Sequence, residues 1–242
     1  MNWAGEFVFG QSAAAYRGPS ADNSFHAHAA IQLVLAGTGQ ATVTAADGRE
    51  SVGKAILIRP LVEHALSSRS EVTLLYAEPQ STLATHLECL TQYSDISVIE
   101  PSAVPRFEPS EPLDRWLART AGSFPRGRIL DARLKKALDV LSCEPGTHSI
   151  RDAAVQCGLS ESRLRALARA QLGLPLSTWL IWRKLERAAR AISKGDSLSM
   201  AAVAGGFADQ AHLARAMRRM FGITPRSAQS SALSGGNRSV QE

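Results

Sequence analysis

The chain has 242 residues and a net charge of +5, enough length for two ordinary domains with separate cores. The charge is uneven: residues 1–110 hold 6 Lys+Arg against 11 Asp+Glu and residues 111–242 hold 21 against 11, so the halves carry −5 and +10. A basic half joined to an acidic one points to a polyanion partner for the C-terminal half. The start lacks the basic-then-apolar pattern of a secretion signal, and no stretch approaches the ~18 apolar residues of a membrane span. Cys89, Cys143 and Cys157, odd in number and scattered, are expected to be free thiols in a reducing cytoplasm.

Residues 25–78 read as β structure. Ile31 to Leu35 is a short apolar run, Gln40 to Thr44 alternates, and Asp47-Gly48 is a hairpin turn leading to the next strand. Ala55 to Ile58 ends before Pro60, and Val72 to Tyr76 closes the set. Short strands between turn residues suggest a small antiparallel barrel or sandwich. Residues 81–93 then change to helical spacing, with Leu83, Leu87 and Leu90 on one side. That stripe either covers the barrel or pairs with its copy in a second chain.

His26 and His28 precede the first of these strands, Gln32 follows, and His64 comes after Pro60. Two residues at i and i+2 in extended backbone share a face, and a third His from a neighbouring strand could complete a set for a divalent ion. The pattern resembles cupins, small β-barrels whose metal sites use His-x-His, an acid and a later His. Gln32 stands roughly where the acid would be, and it is neutral. Three readings stay open: histidines lining an effector pocket without metal, which is placed first; a sensed divalent metal, or one that helps hold an effector; and a metal-dependent enzyme. No cofactor is assigned from the sequence beyond that divalent metal.

Residues 99–112 contain Pro101, Pro105, Pro109 and Pro112 and read as a linker. Beyond them the pattern is helical throughout. Asp131 to Leu141 carries Leu134, Ala137, Leu138 and Leu141 at helical spacing, and Leu176 to Ile192 forms a longer helix stopped near Gly195. Around these lies a repeat: Ser149 to Leu159 returns, 48 residues on, as Ser197 to Phe207. Each copy has a capping Ser, a small-residue helix, a Gly and an apolar residue, and a short basic helix follows. Helix, glycine turn, basic helix is the helix-turn-helix pattern, in which the second helix enters the major groove of DNA.

Removing the positions that must face a core leaves Ser162, Arg163, Arg165, Ala166 and Arg169 outside in the first unit. In the second, Leu213, Met217 and Phe221 are expected inside, and Gln210, His212, Arg215 and Arg218 outside with Arg219 beyond. Arg can donate two hydrogen bonds to guanine and Gln can pair with adenine. Arg165, Gln210 and Arg215 are therefore the candidate base readers, and the other basic residues are candidate phosphate contacts.

The segment Gly206 to Pro225, with Arg183 to Ala188 before it, resembles the AraC/XylS family of transcription regulators. The likeness spans roughly residues 131–226. It implies two helix-turn-helix units joined by a helix, sequence-specific promoter binding, and a separate effector or dimerisation domain. It also brings departures: Ala166 where the family usually has Arg, Ala168 where it has an aromatic, and Ala201 in place of a large aliphatic. The expectation is thus an α+β chain of two domains: a cupin-like antiparallel β-barrel at 1–98, a linker at 99–112, an all-α DNA-binding domain at 113–226 and a disordered tail at 227–242. Its partners would be double-stranded DNA, a small-molecule or metal effector, a second copy of the chain paired through the 81–93 stripe, and RNA polymerase, with no membrane. The rival expectation is a cupin-type metalloenzyme with an accessory helix-turn-helix domain.

Overall fold

A computed structural model describes residues 5–20, 23–108, 111–124, 127–143 and 148–225. The expected tail at 227–242 lies outside them. The first half is β. Strands β1 (Glu6–Phe9), β2 (Ala13–Pro19), β3 (Ile31–Ala36), β6 (Ala55–Ile58), β8 (Glu71–Ala77) and β9 (Ile96–Val98) form a six-stranded sheet in the order β1-β2-β8-β3-β6-β9. A second sheet has the order β5-β4-β7, from β4 (Ala41–Ala45), β5 (Glu50–Gly53) and β7 (His64–Ser68). All the strand pairs are antiparallel. The Asp47-Gly48 turn joins β4 to β5: Ala45 N–H donates to the Arg49 carbonyl at 2.9 Å, and Gly48 takes φ 84, a value glycine adopts without strain.

The long apolar runs follow from burial on both faces. One face of the large sheet presents Val34, Ile56, Ile58, Leu74 and Tyr76 to Ala41, Val43 and Leu66 of the small sheet. The alternate residues Leu33, Leu57 and Leu75 point the other way, onto Leu83 and Leu87 of helix α1 (Thr82–Leu90) and Trp116 and Leu117 of helix α2 (Leu113–Gly122).

Two expectations change here. The α1 stripe packs on the sheet of its own chain, with Leu83 and Leu87 fully buried and Leu90 partly so. Burying one such side chain is worth about 1.5–3 kcal/mol, so freeing the stripe for a partner would forfeit several kcal/mol. The helix at 113–122, assigned from the sequence to the DNA-binding half, also belongs with the β half. The proline-rich segment reaches it as a packed strap: Val104 is buried, and Trp116 Nε1–H donates to the Pro105 carbonyl at 3.0 Å. Arg119 is tied to Glu111 at 2.7 Å and donates to the Arg106 carbonyl at 2.7 Å.

The second half is helical: α3 (Ala132–Ser142), α4 (Ile150–Gln156), α5 (Glu161–Leu172), α6 (Leu176–Ser193), α7 (Leu198–Gly205) and α8 (Gln210–Phe221). Among the described residues no helix is long and apolar enough to cross a membrane. The 18 residues of α6 extend about 27 Å. Its Trp179, Trp182, Leu185, Ala188 and Ile192 are buried, so one stripe serves the helices on both sides. The core between the sheets continues through Tyr76 and Trp182 into the first helical unit.

Candidate nucleic-acid interface and histidine cluster

The sequence repeat is a repeat of structure. Ser149 caps α4 by accepting from Asp152 N–H at 3.1 Å, and Asp152 reaches back to the Ser149 N–H at 2.9 Å, completing a capping box. Ser197 caps α7 by accepting from Met200 N–H at 3.3 Å. Gly158 and Gly206 turn the chain at φ 65 and φ 73. In both units the next apolar residue donates its N–H to an alanine carbonyl at 2.9 Å, Leu159 to Ala154 and Phe207 to Ala202. Small residues let the scaffold helices approach closely. Ala153, Ala154, Ala201 and Ala202 are buried, and a Cβ on Gly205 would come 2.8 Å from the Lys184 carbonyl oxygen of α6.

These scaffolds present α5 and α8. Ser160 caps α5 and Asp209 caps α8, accepting from Arg163 N–H at 3.2 Å and His212 N–H at 2.6 Å. Leu164, Ala168 and Leu172 are buried on α5, and Leu213, Met217 and Met220 on α8, with Leu167 and Phe221 half-buried. Ser162, Arg163, Arg165 and Arg169 on α5 are exposed, as are Gln210, His212, Arg215, Arg218 and Arg219 on α8. Arg165 pairs with Glu161 one turn back at 2.6 Å, and Gln210 donates to the Ser199 hydroxyl. The His212 ring stands edge-on to Phe207 at 5.2 Å. Among the described residues, Arg163, Arg169, Arg215, Arg218 and Arg219 make no ion pair with an acidic side chain. Such exposed guanidiniums suit phosphate oxygens and guanine edges.

The four residues singled out in the β half are brought together. His26 and His64 face each other in an antiparallel bridge, with reciprocal N–H to carbonyl bonds of 3.0 Å. Ligand nitrogens of His26, His28 and His64 lie within 4.8 Å of one another, and all three rings are buried. Gln32, 1 % exposed, sets its Oε1 at 2.7 Å from His28 Nε2 and 3.0 Å from His64 Nε2. Each Nδ1 meets a backbone carbonyl: Ser24 for His26 at 3.0 Å, Ala30 for His28 at 2.8 Å and Val62 for His64 at 2.9 Å. A carbonyl only accepts, so each Nδ1 carries a proton. Burial disfavours the charged imidazolium, lowering His28, lowering His64 well below its ordinary value and taking His26 down to about 4. Three neutral rings with protons on Nδ1 leave three Nε2 lone pairs.

The cluster lies where the halves meet, a placement with no local signature in the chain. Tyr76 stands edge-on to His28 at 5.3 Å, and Trp182 of α6 lies 6.3 Å from the same ring. Phe221 of α8 packs on Trp182 at 5.4 Å and on Tyr76 at 5.9 Å. Ala27 N–H donates to the Arg219 carbonyl at 3.2 Å, and the Ser24 hydroxyl donates to the Gly222 carbonyl at 3.2 Å. Gly222 fits so tightly that a Cβ would come 2.4 Å from the Ser24 oxygen. Beside the aromatic contacts, buried Glu78 accepts from Trp182 Nε1–H at 3.2 Å and Arg183 at 2.7 Å. Arg190 donates to the Gly10 carbonyl at 2.8 Å. Trp182 could have been suspected from its place three residues after Trp179 on the α6 stripe; Glu78 carried no signal.

Residues 156–231 match a protein family described as a helix-turn-helix domain. Comparison with curated protein sequences finds no match. Among solved structures, a lysine-to-alanine variant of apo ToxT from Vibrio cholerae strain SCE256 is similar, with 13% identity and a TM-score of 0.59 over 91% of this chain and 97% of that one. ToxT from Vibrio cholerae O395 bound to (E)-4-(8-methylnaphthalen-1-yl)but-3-enoic acid has 13% identity and a TM-score of 0.57, over 91% and 98%. ToxT from strain SCE256 with a bound unsaturated fatty acid has 11% identity and a TM-score of 0.54, over 93% and 95%. At these identities the likeness is one of fold, and it spans both halves. Together with the matched domain and the two capped, arginine-bearing units, it places a helix-turn-helix domain in the C-terminal half of a two-domain fold similar to that of ToxT.

Proposed function

We propose that this protein is a sequence-specific DNA-binding transcription regulator whose promoter binding responds to an effector held by its β half. The paired helix-turn-helix units carry the DNA reading: two capped second helices, each with exposed arginines, on the +10 half of the chain. Arg165, Gln210 and Arg215 are the base readers; Arg163, Arg169, Arg218 and Arg219 hold phosphates; Ser162 and His212 flank them. The contacts of α8 with the 24–28 segment support the effector half of the reading. An effector that favours one seating of α8 on the β half must shift DNA affinity by the same differential free energy. ToxT, which shares this fold, is solved with organic acids bound, which supports a ligand-responsive role for the β half here.

Such a regulator works in the cytoplasm and meets RNA polymerase at the promoter. A homodimer on DNA would use a surface other than the α1 stripe. The rival metalloenzyme reading rests on the same histidines, but Trp182 and Phe221 crowd that side of the cluster with helices of the DNA-binding half, which favours a regulatory role. The test is binding of the full chain to duplexes enriched from a random pool. Affinity should fall by roughly three orders of magnitude or more between ~50 and ~200 mM salt if about six phosphates are neutralised. Absence of binding, or binding indifferent to salt, would overturn the proposal.

A further inference from the structure

The histidine cluster poses a problem of proton count. The Gln32 carbonyl oxygen faces His28 Nε2 at 2.7 Å and His64 Nε2 at 3.0 Å, and the amide nitrogen is turned to the Tyr76 hydroxyl at 3.3 Å. With its Nδ1 proton committed to a backbone carbonyl, a neutral ring has no proton to place between this oxygen and its own Nε2. The Nε2 lone pairs of His28 and His64 then face the Gln32 oxygen in one buried space, with a ring nitrogen of His26 within 4.8 Å, an arrangement a cation relieves. Backbone carbonyls that fix ring tautomers so that the other nitrogens converge are the outer-shell arrangement of histidine metal sites. Three imidazoles and a neutral oxygen suit a tetrahedral divalent ion of the zinc type, whose ligands at ~2.0–2.1 Å stand about 3.3 Å from one another.

From this we infer that His26, His28, His64 and Gln32 bind one exchangeable divalent transition-metal ion, and that its occupancy is coupled to the seating of α8. This rests on the DNA-binding reading above and names the effector of that same site. Exchangeability follows from the ligand set: no carboxylate among the four offsets the ion's charge, so binding is weaker than at a three-histidine, one-acid site. Coupling follows from position. The 24–28 segment supplies two of the rings and also holds the end of α8 through Arg219 and Gly222. Around an ion the Gln32 oxygen, now 2.7 and 3.0 Å from His28 Nε2 and His64 Nε2, must stand off to ~3.3 Å as the rings turn onto the metal. That movement pulls on the backbone against which α8 is seated and on the ring that packs Trp182.

The experiment uses the full chain stripped with a chelator and titrated with cobalt(II) chloride, then zinc chloride. Expected are one ion per chain, the visible absorption of four-coordinate cobalt, its loss on zinc addition, and quenching of tryptophan fluorescence that Trp182→Phe removes. His64→Ala should weaken binding about 100-fold or more, whereas Gln32→Glu, nearly isosteric, should tighten it about 10-fold by adding the missing charge. Should the alanine variant not fold, Gln32→Glu carries the test. DNA affinity of the wild-type chain should change about 5-fold or more at saturating zinc and stay constant in His64→Ala. A folded wild-type chain that takes up no stoichiometric metal overturns the inference and leaves the DNA reading intact. In that case the Gln32 amide is turned over, its NH2 donating to both rings. One bound ion with unchanged DNA affinity overturns the coupling, and metal uptake without DNA binding under any condition overturns the regulator instead.

Discussion

Arg215 is the residue at which DNA reading is most directly tested. It is exposed on the second turn of α8, makes no ion pair among the described residues, and lies away from the helix end that touches the β half. Arg215→Ala should cost about 1–3 kcal/mol on a selected duplex and relax preference at one or two base pairs, while Arg218→Ala should weaken selected and random duplexes alike. Competition titrations against both duplexes check this; equal losses for Arg215→Ala would remove it from base reading. As a base reader Arg165 would start from a different state, since DNA would have to draw it from Glu161, 2.6 Å away. Its exposure could be read from the spacing of Leu164 and Leu167, but its partner could not, because an i,i+4 pair is only one of several options for a free arginine.

Among the elements, the helix-turn-helix units were the most legible, because each rests on local chemistry. Capping serines, small scaffold residues and positive-φ glycines act within a dozen residues and leave their pattern in the chain. Strand β1 and strand β2 were not read, since Ala13-Ala14-Ala15 offers neither alternation nor branched residues; register with β8 makes it a strand. The use of the α1 stripe was also undecided by spacing, because an apolar stripe does not say what covers it. Local chemistry also gives the test at this scale. Ser197→Ala should cost about 1 kcal/mol and Ser149→Ala somewhat more, since Asp152 then loses both its hydroxyl partner and its place in the box. Urea midpoints of the single and double variants check this. Costs that fail to add would show that the two caps do not act in independent units.

At the scale of the whole molecule, one interior runs from between the sheets to the helices, and α6 joins everything: Trp182 to the histidine side, Arg190 to the β1–β2 turn, and its far face to α7. Contacts this distant in sequence have no local signature, which is why the halves read well separately while their junction did not read at all. The boundary shifted for the same reason, with α2 packing back on the sheet that precedes it. Under the proposed reading, a single junction joining the histidines to α8 would link an effector in the β half to DNA binding. The claim beneath it is that both units read one DNA. The most direct measurement is selection of bound duplexes from a random pool by the full chain, followed by footprinting of the selected site. With α6 spanning about 27 Å between the units, two protected blocks centred about 10 base pairs apart are expected, on successive major grooves of one face. No enrichment, or one short block indifferent to changes in α5, would contradict it.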